Sequence, residues 1–81
     1  MQIKAIKNLL DKYSIEELKQ KEEQLLEGEE LSFDDVEGED EGEQLTHLTG
    51  AIWCIEQAKT NGSKLHSEVR NFISRVRNSI S

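Results

Sequence analysis

Apolar positions recur at intervals of three and four along most of this chain, the spacing of helices that bury one face. Ile3, Ile6, Leu9 and Leu10 share a stripe that predicts a first helix over about 2–12. Tyr13-Ser14 interrupts it, and Ser14 stands three residues before Glu17. That is the spacing of a capping box, in which hydroxyl and carboxylate each take up a backbone amide at a helix start. A second helix follows over about 15–27, with Ile15, Leu18, Leu25 and Leu26 inward. Its stripe is broken at Glu22, which predicts weaker packing there. A third helix over about 40–60 carries the seam Leu45, Leu48, Ile52 and Ile55 behind Asp40 and Glu43, a second cap-like pair. Gly50, Ala51 and Ala58 invite close approach by a neighbour, and Asn61-Gly62 is a stop signal because glycine accepts the left-handed conformation. Ser63 is placed to cap a fourth helix over about 64–79, with Leu65, Val69, Phe72, Val76 and Ile80 on its stripe and Ile73 widening it.

Residues 28–39, opened by Gly28, read as a loop. Leu31, Phe33 and Val36 punctuate it and are expected to tack it onto the helices; the alternative is a short strand over 31–36 pairing with a second copy. Proline is absent and no segment alternates apolar with polar as a half-buried strand does. The expected fold is therefore all-α. It is a single domain over 1–81, a small four-helix bundle of two helical hairpins joined by an acidic loop.

Composition changes this picture in one respect. With 35% hydrophobic and 33% charged residues the core is small, so a partner subunit that binds only the folded form would add stability. A homodimer is the natural expectation. Charge adds more. Of seventeen acidic residues, fourteen lie between Glu16 and Glu43. Residues 1–13 carry +2, residues 14–55 carry −12 and residues 56–81 carry +3, giving −7 for the chain. An acidic middle between two basic ends argues against direct nucleic-acid binding, which needs a basic surface. It leaves two explanations: basic terminal helices lying beside acidic central ones, or an acidic surface that docks a basic protein partner.

Candidate chemistry concentrates where the run Glu37-Gly-Glu-Asp-Glu-Gly-Glu43 meets the apolar third helix. Counted from Glu37, acids fall at three early positions of an EF-hand calcium loop and Gly42 at its glycine position, but the closing carboxylate is replaced by Leu48. Asp40, Glu43 and His47 lie within successive turns and could share a divalent cation. The plainer account has the carboxylates complementing the helix start and His47 bonding Glu43. Cys54 is the single cysteine, has no basic residue within four positions, and is expected to be a buried structural thiol in a reducing cytoplasm. Trp53 lies off the third helix's seam, either facing the second hairpin or anchoring a dimer. Arg70, Arg75 and Arg77 are expected to neutralise the acidic loop of the same or a neighbouring subunit. No apolar stretch reaches membrane-spanning length, the start Met-Gln-Ile-Lys lacks a signal-peptide hydrophobic region, and no spacing marks a catalytic group or a cofactor site.

Acyl carrier proteins share the small, acidic, helical character, but their Asp-Ser-Leu attachment motif is missing: Ser14 sits in Tyr-Ser-Ile and Ser32 in Leu-Ser-Phe. Four segments instead make the chain resemble a family of short uncharacterised proteins from Bacteroidetes-type bacteria. They are Ile-Lys-Ala-Ile-Lys-Asn-Leu-Leu, Tyr-Ser-Ile-Glu-Glu-Leu, Val-Glu-Gly-Glu-Asp-Glu-Gly-Glu-Gln-Leu-Thr-His and Arg-Val-Arg-Asn-Ser-Ile. The resemblance is strongest over Glu37–His47 and implies a compact helical bacterial protein, without an activity or a ligand. The functional expectation is a non-enzymatic interaction module that docks through Glu37, Glu39, Asp40, Glu41, Glu43 and His47, with a divalent-cation site at Asp40, Glu43 and His47 as the alternative.

Overall fold

The computed structural model describes the backbone of residues 2–80 and the side chains of residues 2–78. It contains four helices in the expected order: α1 (Ile3–Lys12), α2 (Ile15–Leu26), α3 (Glu41–Asn61) and α4 (Leu65–Ile80). The all-α bundle is therefore as expected, and among the described residues there is no strand. Its organising element is α3. That helix buries Gln44, His47, Leu48, Gly50, Ala51, Ile52 and Cys54, more than one stripe, because α1, α2 and α4 each pack against it. A helix buried on several sides loses a sharp polar face, which is why so few charges fall between Gln44 and Ile55.

The second hairpin, α3 and α4, is closed by Gly62 at φ 64, the left-handed turn its sequence signalled. The first pair, α1 and α2, is joined at Tyr13-Ser14, and both helices lie along α3. Ser14 forms the predicted capping box in full: its hydroxyl accepts from the Glu17 amide, and the Glu17 carboxylate accepts from the Ser14 amide. Gly50 is a contact position. A Cβ there would stand 2.7 Å from the Phe72 ring, so α4 seats its aromatic directly on the α3 backbone.

The core comprises Ile6, Leu9, Leu18, Leu25, Val36, Leu48, Ala51, Ile52, Cys54, Val69 and Ile73. Leu45, Ile55 and Phe72 are half-buried around it. Three expected stripe members face out instead, one of them Leu65 at the start of α4, 41% exposed. Leu26 is 68% exposed, because Leu18 and Leu25 are two turns apart on the buried line and Leu26 is a further step round the helix. Ile3 is 42% exposed at the open end of α1. The break at Glu22 is filled by a polar contact, in which the Thr49 hydroxyl donates to the Glu22 carboxylate at 3.0 Å. Ile80, expected on the α4 stripe, lies outside the residues whose side chains are described.

Ser63 does not cap α4, which begins two residues later. Its hydroxyl instead donates to the carboxylate of Glu68 at 2.7 Å, and the Asn71 and Asn61 amides donate to the same group at 2.9 and 3.4 Å. Glu68 is only 2% exposed and locks the α3–α4 turn. A carboxylate only accepts, so the donors from Ser63, Asn71 and Asn61 favour its charged form and hold its pKa below the usual glutamate value, against the opposing effect of burial. The sign of the pH effect follows. A depressed folded pKa contributes stability above the unfolded value of about 4.3, and this is lost as pH falls through the lower folded value. Urea midpoints of wild type and Glu68→Gln measured from pH 7 down to pH 3 check this. The variant is expected to be less stable at pH 7, with the gap closing on the acid side; parallel profiles would contradict it.

Candidate functional site

After the Gly28 turn that closes α2, residues 29–40 cross to α3 without regular structure apart from a turn over 32–36, where the Asp35 and Val36 amides both donate to the Ser32 carbonyl. Only Val36 is fully buried there, at 1% exposed, with Leu31 half-buried. Phe33, expected to be tacked down, is 59% exposed. The turn points its side chain away from the bundle.

What holds the loop is its backbone. The Gln44 side-chain amide donates to the carbonyls of Leu31 and Val36, both at 2.9 Å. The Tyr13 hydroxyl donates to the Asp35 carbonyl at 3.0 Å, and the Lys12 ammonium to the Asp34 carbonyl. His47 completes the set. Its Nδ1 lies 2.7 Å from the Glu37 carbonyl and its Nε2 lies 3.0 Å from the Gln2 amide nitrogen. A carbonyl can only accept and an amide N–H only donate, so the ring is the neutral Nδ1–H tautomer. His47 thus ties the start of α1 and the acidic loop to α3.

This arrangement separates the six residues expected to form one surface. His47 is 1% exposed, turned inward, and bonds the Glu37 carbonyl where a bond to Glu43 was expected. Glu37 is half-buried, its carboxylate accepting from the Asn8 amide at 2.7 Å. Asp40 caps α3 by accepting from the Glu43 amide at 2.7 Å, and the Glu43 carboxylate accepts from the Glu39 amide at 3.4 Å. Only Glu39 and Glu41 project without such a duty among the described residues. They join Glu30, Phe33, Gly38 and Asp40 around a shallow depression of about 220 Å³. Glu30 and Phe33 escaped the sequence argument; the signal was available in a lone phenylalanine set among carboxylates, at Leu-Ser-Phe-Asp-Asp.

Among the described residues one ion pair forms, Lys19 with Glu56 at 3.7 Å, and both partners are exposed. Lys12 and Lys21 sit over the Tyr13 ring, at 5.3 and 4.7 Å from its centre. Arg75 lies 5.5 Å from the centre of the Trp53 ring, which also meets Phe72 at 5.7 Å, so Trp53 faces the second hairpin. Cys54 is buried as expected, and burial, aided by the Glu68 charge, pushes its thiol up to about 11. At neutral pH it stays protonated and unreactive. No group of three or more His, Cys, Asp and Glu side chains among the described residues is arranged to hold a metal ion, and no helix there is long and apolar enough to cross a membrane.

The His47 clamp has a measurable weight. His47→Leu removes donor and acceptor at a similar side-chain volume and leaves the Glu37 carbonyl and Gln2 amide without their His47 partner. An unsatisfied buried polar group costs about 1–3 kcal/mol, and the exposure of Gln2 puts the loss near 2 kcal/mol. Urea denaturation is expected to show that loss, with proteolytic cleavage in residues 28–40 appearing ahead of global unfolding. Wild-type stability in the variant would contradict the clamp.

No curated protein and no solved structure matches the chain. A family model does, and it spans residues 1–81, the whole length over which the clamped loop and its supporting helices extend. The chain belongs to that family, a family of unknown function (DUF6952).

Proposed function

We propose that this protein is a non-enzymatic interaction module that docks a basic partner segment on the acidic surface formed by Glu30, Glu39, Asp40 and Glu41 around Phe33. The observation that carries the proposal is the way the loop is held. Its carbonyls are bonded from beneath by Gln44, His47, Tyr13 and Lys12, which leaves carboxylates and an exposed aromatic facing solvent on a fixed backbone. A surface ordered before binding loses less conformational entropy when a partner arrives. Unpaired like charges around an apolar centre favour fast, salt-sensitive association with a cationic surface.

A divalent cation at Asp40, Glu43 and His47 fits these residues less well. Both ring nitrogens of His47 are already bonded, and Asp40 and Glu43 are engaged by backbone amides. We assign the protein to the bacterial cytoplasm on its single buried thiol and on the family resemblance of the Glu37–His47 block. We further propose that it self-associates.

The docking proposal is tested by capture from extracts of the source cell with wild type and with a Glu39→Gln, Glu41→Gln double variant. These two positions carry charge but neither cap nor clamp, so stability is expected to stay within about 0.5 kcal/mol of wild type. Loss of basic partners from the double variant is the expected outcome. Recovery of the same set at the same salt would sink the proposal.

A further inference from the structure

Across α1 from the acidic loop lies a surface of the opposite kind. Leu10 from α1 and Leu65 and Val69 from α4 form an apolar groove of about 190 Å³, with Lys7, Asp11 and His66 at its edge. Leu65 is 41% exposed along it. The helix faces around the groove are basic: Lys4 precedes Lys7 by three residues, Arg70 follows His66 by four, and Lys64 adjoins Leu65. Asp11 is the one opposing charge among these positions.

Phe33 has the complementary character. It is 59% exposed on the turn, with Glu29, Glu30, Asp34 and Asp35 all exposed beside it in sequence. Among the described residues none of these acids or groove bases is in an ion pair, the one such pair being Lys19 with Glu56, and Lys12 reaches Asp34 only at its carbonyl. Size also agrees, because a cavity of about 150 Å³ is enough to take a benzene ring. Both features flank the same helix. Asn8 and Lys12 of α1 border the loop at Asp34, Asp35 and Glu37, whereas Lys7 and Asp11 border the groove.

We propose that the basic surface recognised by the acidic face is, in the first instance, a second copy of this chain, with Phe33 of each copy seated in the α1–α4 groove of the other. This rests on the acidic-surface docking proposed above and names its partner. In the proposed arrangement, insertion is reciprocal about a two-fold axis, which engages the knob and groove of both copies and closes the assembly at a dimer. The flanking charges set the orientation, Glu30 and Asp34 meeting Lys7 and Lys64, and make the association weaken with salt. Trp53 is not required, because its ring is covered by Phe72 and Arg75 within the chain.

Sedimentation equilibrium over a wide concentration range tests this with wild type, Phe33→Ser, Leu65→Ser and Lys7→Glu, each checked by thermal melting. All three positions are exposed, so folding is expected to survive. The expected result is a wild-type dimer that dissociates in high salt, with each variant needing at least roughly tenfold more protein to associate, the effect of 1.4 kcal/mol. Mixing Lys7→Glu with Glu30→Lys is expected to restore association that neither shows alone. A wild type that is monomeric throughout overturns the self-docking, as does a dimer indifferent to both Phe33→Ser and Leu65→Ser. The two proposals fail separately. A monomer that still captures basic partners through Glu39 and Glu41 removes the second copy and leaves the acidic docking surface, whereas a wild-type dimer whose capture is unchanged by Glu39→Gln, Glu41→Gln keeps the Phe33 contact and removes capture through Glu39 and Glu41.

Discussion

A loop this rich in carboxylates cannot be fixed by burying its side chains, because desolvating unpaired charge costs far more than packing returns. It can be fixed by its peptide carbonyls, which are equally available whatever the side chains are. The chain takes this route. Gln44 and His47 on α3, with Lys12 and Tyr13 at the end of α1, supply donors to carbonyls at Leu31, Asp34, Asp35, Val36 and Glu37. The loop's backbone is thereby turned inward and its charge outward, and the exposed acidic and aromatic surface is a consequence of that division.

The central position of α3 is what makes the clamps possible. Gln44 and His47 are buried at 5% and 1% exposure on a helix otherwise lined with Leu48, Ala51, Ile52 and Cys54. Polar groups in such a setting are tolerated when each is bonded, and among the described residues no buried side-chain nitrogen or oxygen lacks a partner. At the far end of the same helix Glu68 repeats the device, a buried carboxylate closed by Ser63, Asn61 and Asn71. Three buried polar side chains thus fix both ends of α3 to what precedes and follows it. The small hydrophobic core does not have to specify those junctions.

Much of the fold was legible because helix periodicity and caps are local. The stripes through Ile6 and Leu9, Leu18 and Leu25, Leu48 and Ile52, and Val69 and Ile73 mark the buried faces, while Ser14, Asp40 and Gly62 mark ends. The site was less legible, since its geometry depends on contacts between residues far apart in sequence. His47 reads as a surface histidine one turn beyond an acid run; its partners are Gln2 and Glu37, which no spacing rule connects to it. Gln44 looks like an ordinary helix-surface residue for the same reason. Phe33 reads as an inward anchor because apolar residues in loops usually tack them down, and here the carbonyl clamps have taken over that task. Ser63 has the right neighbours for a cap, but the helix starts later and the hydroxyl goes to Glu68.

Function then rests on whether the loop is truly held from beneath, and His47 reports this directly. Long-range proton–nitrogen correlation NMR distinguishes the two neutral tautomers of its ring and the charged form. The account predicts the neutral Nδ1–H tautomer, with a ring proton that exchanges slowly with water because the ring is 1% exposed and that proton is bonded to the Glu37 carbonyl. An Nε2–H tautomer, or a ring averaging rapidly between states in contact with solvent, would contradict it.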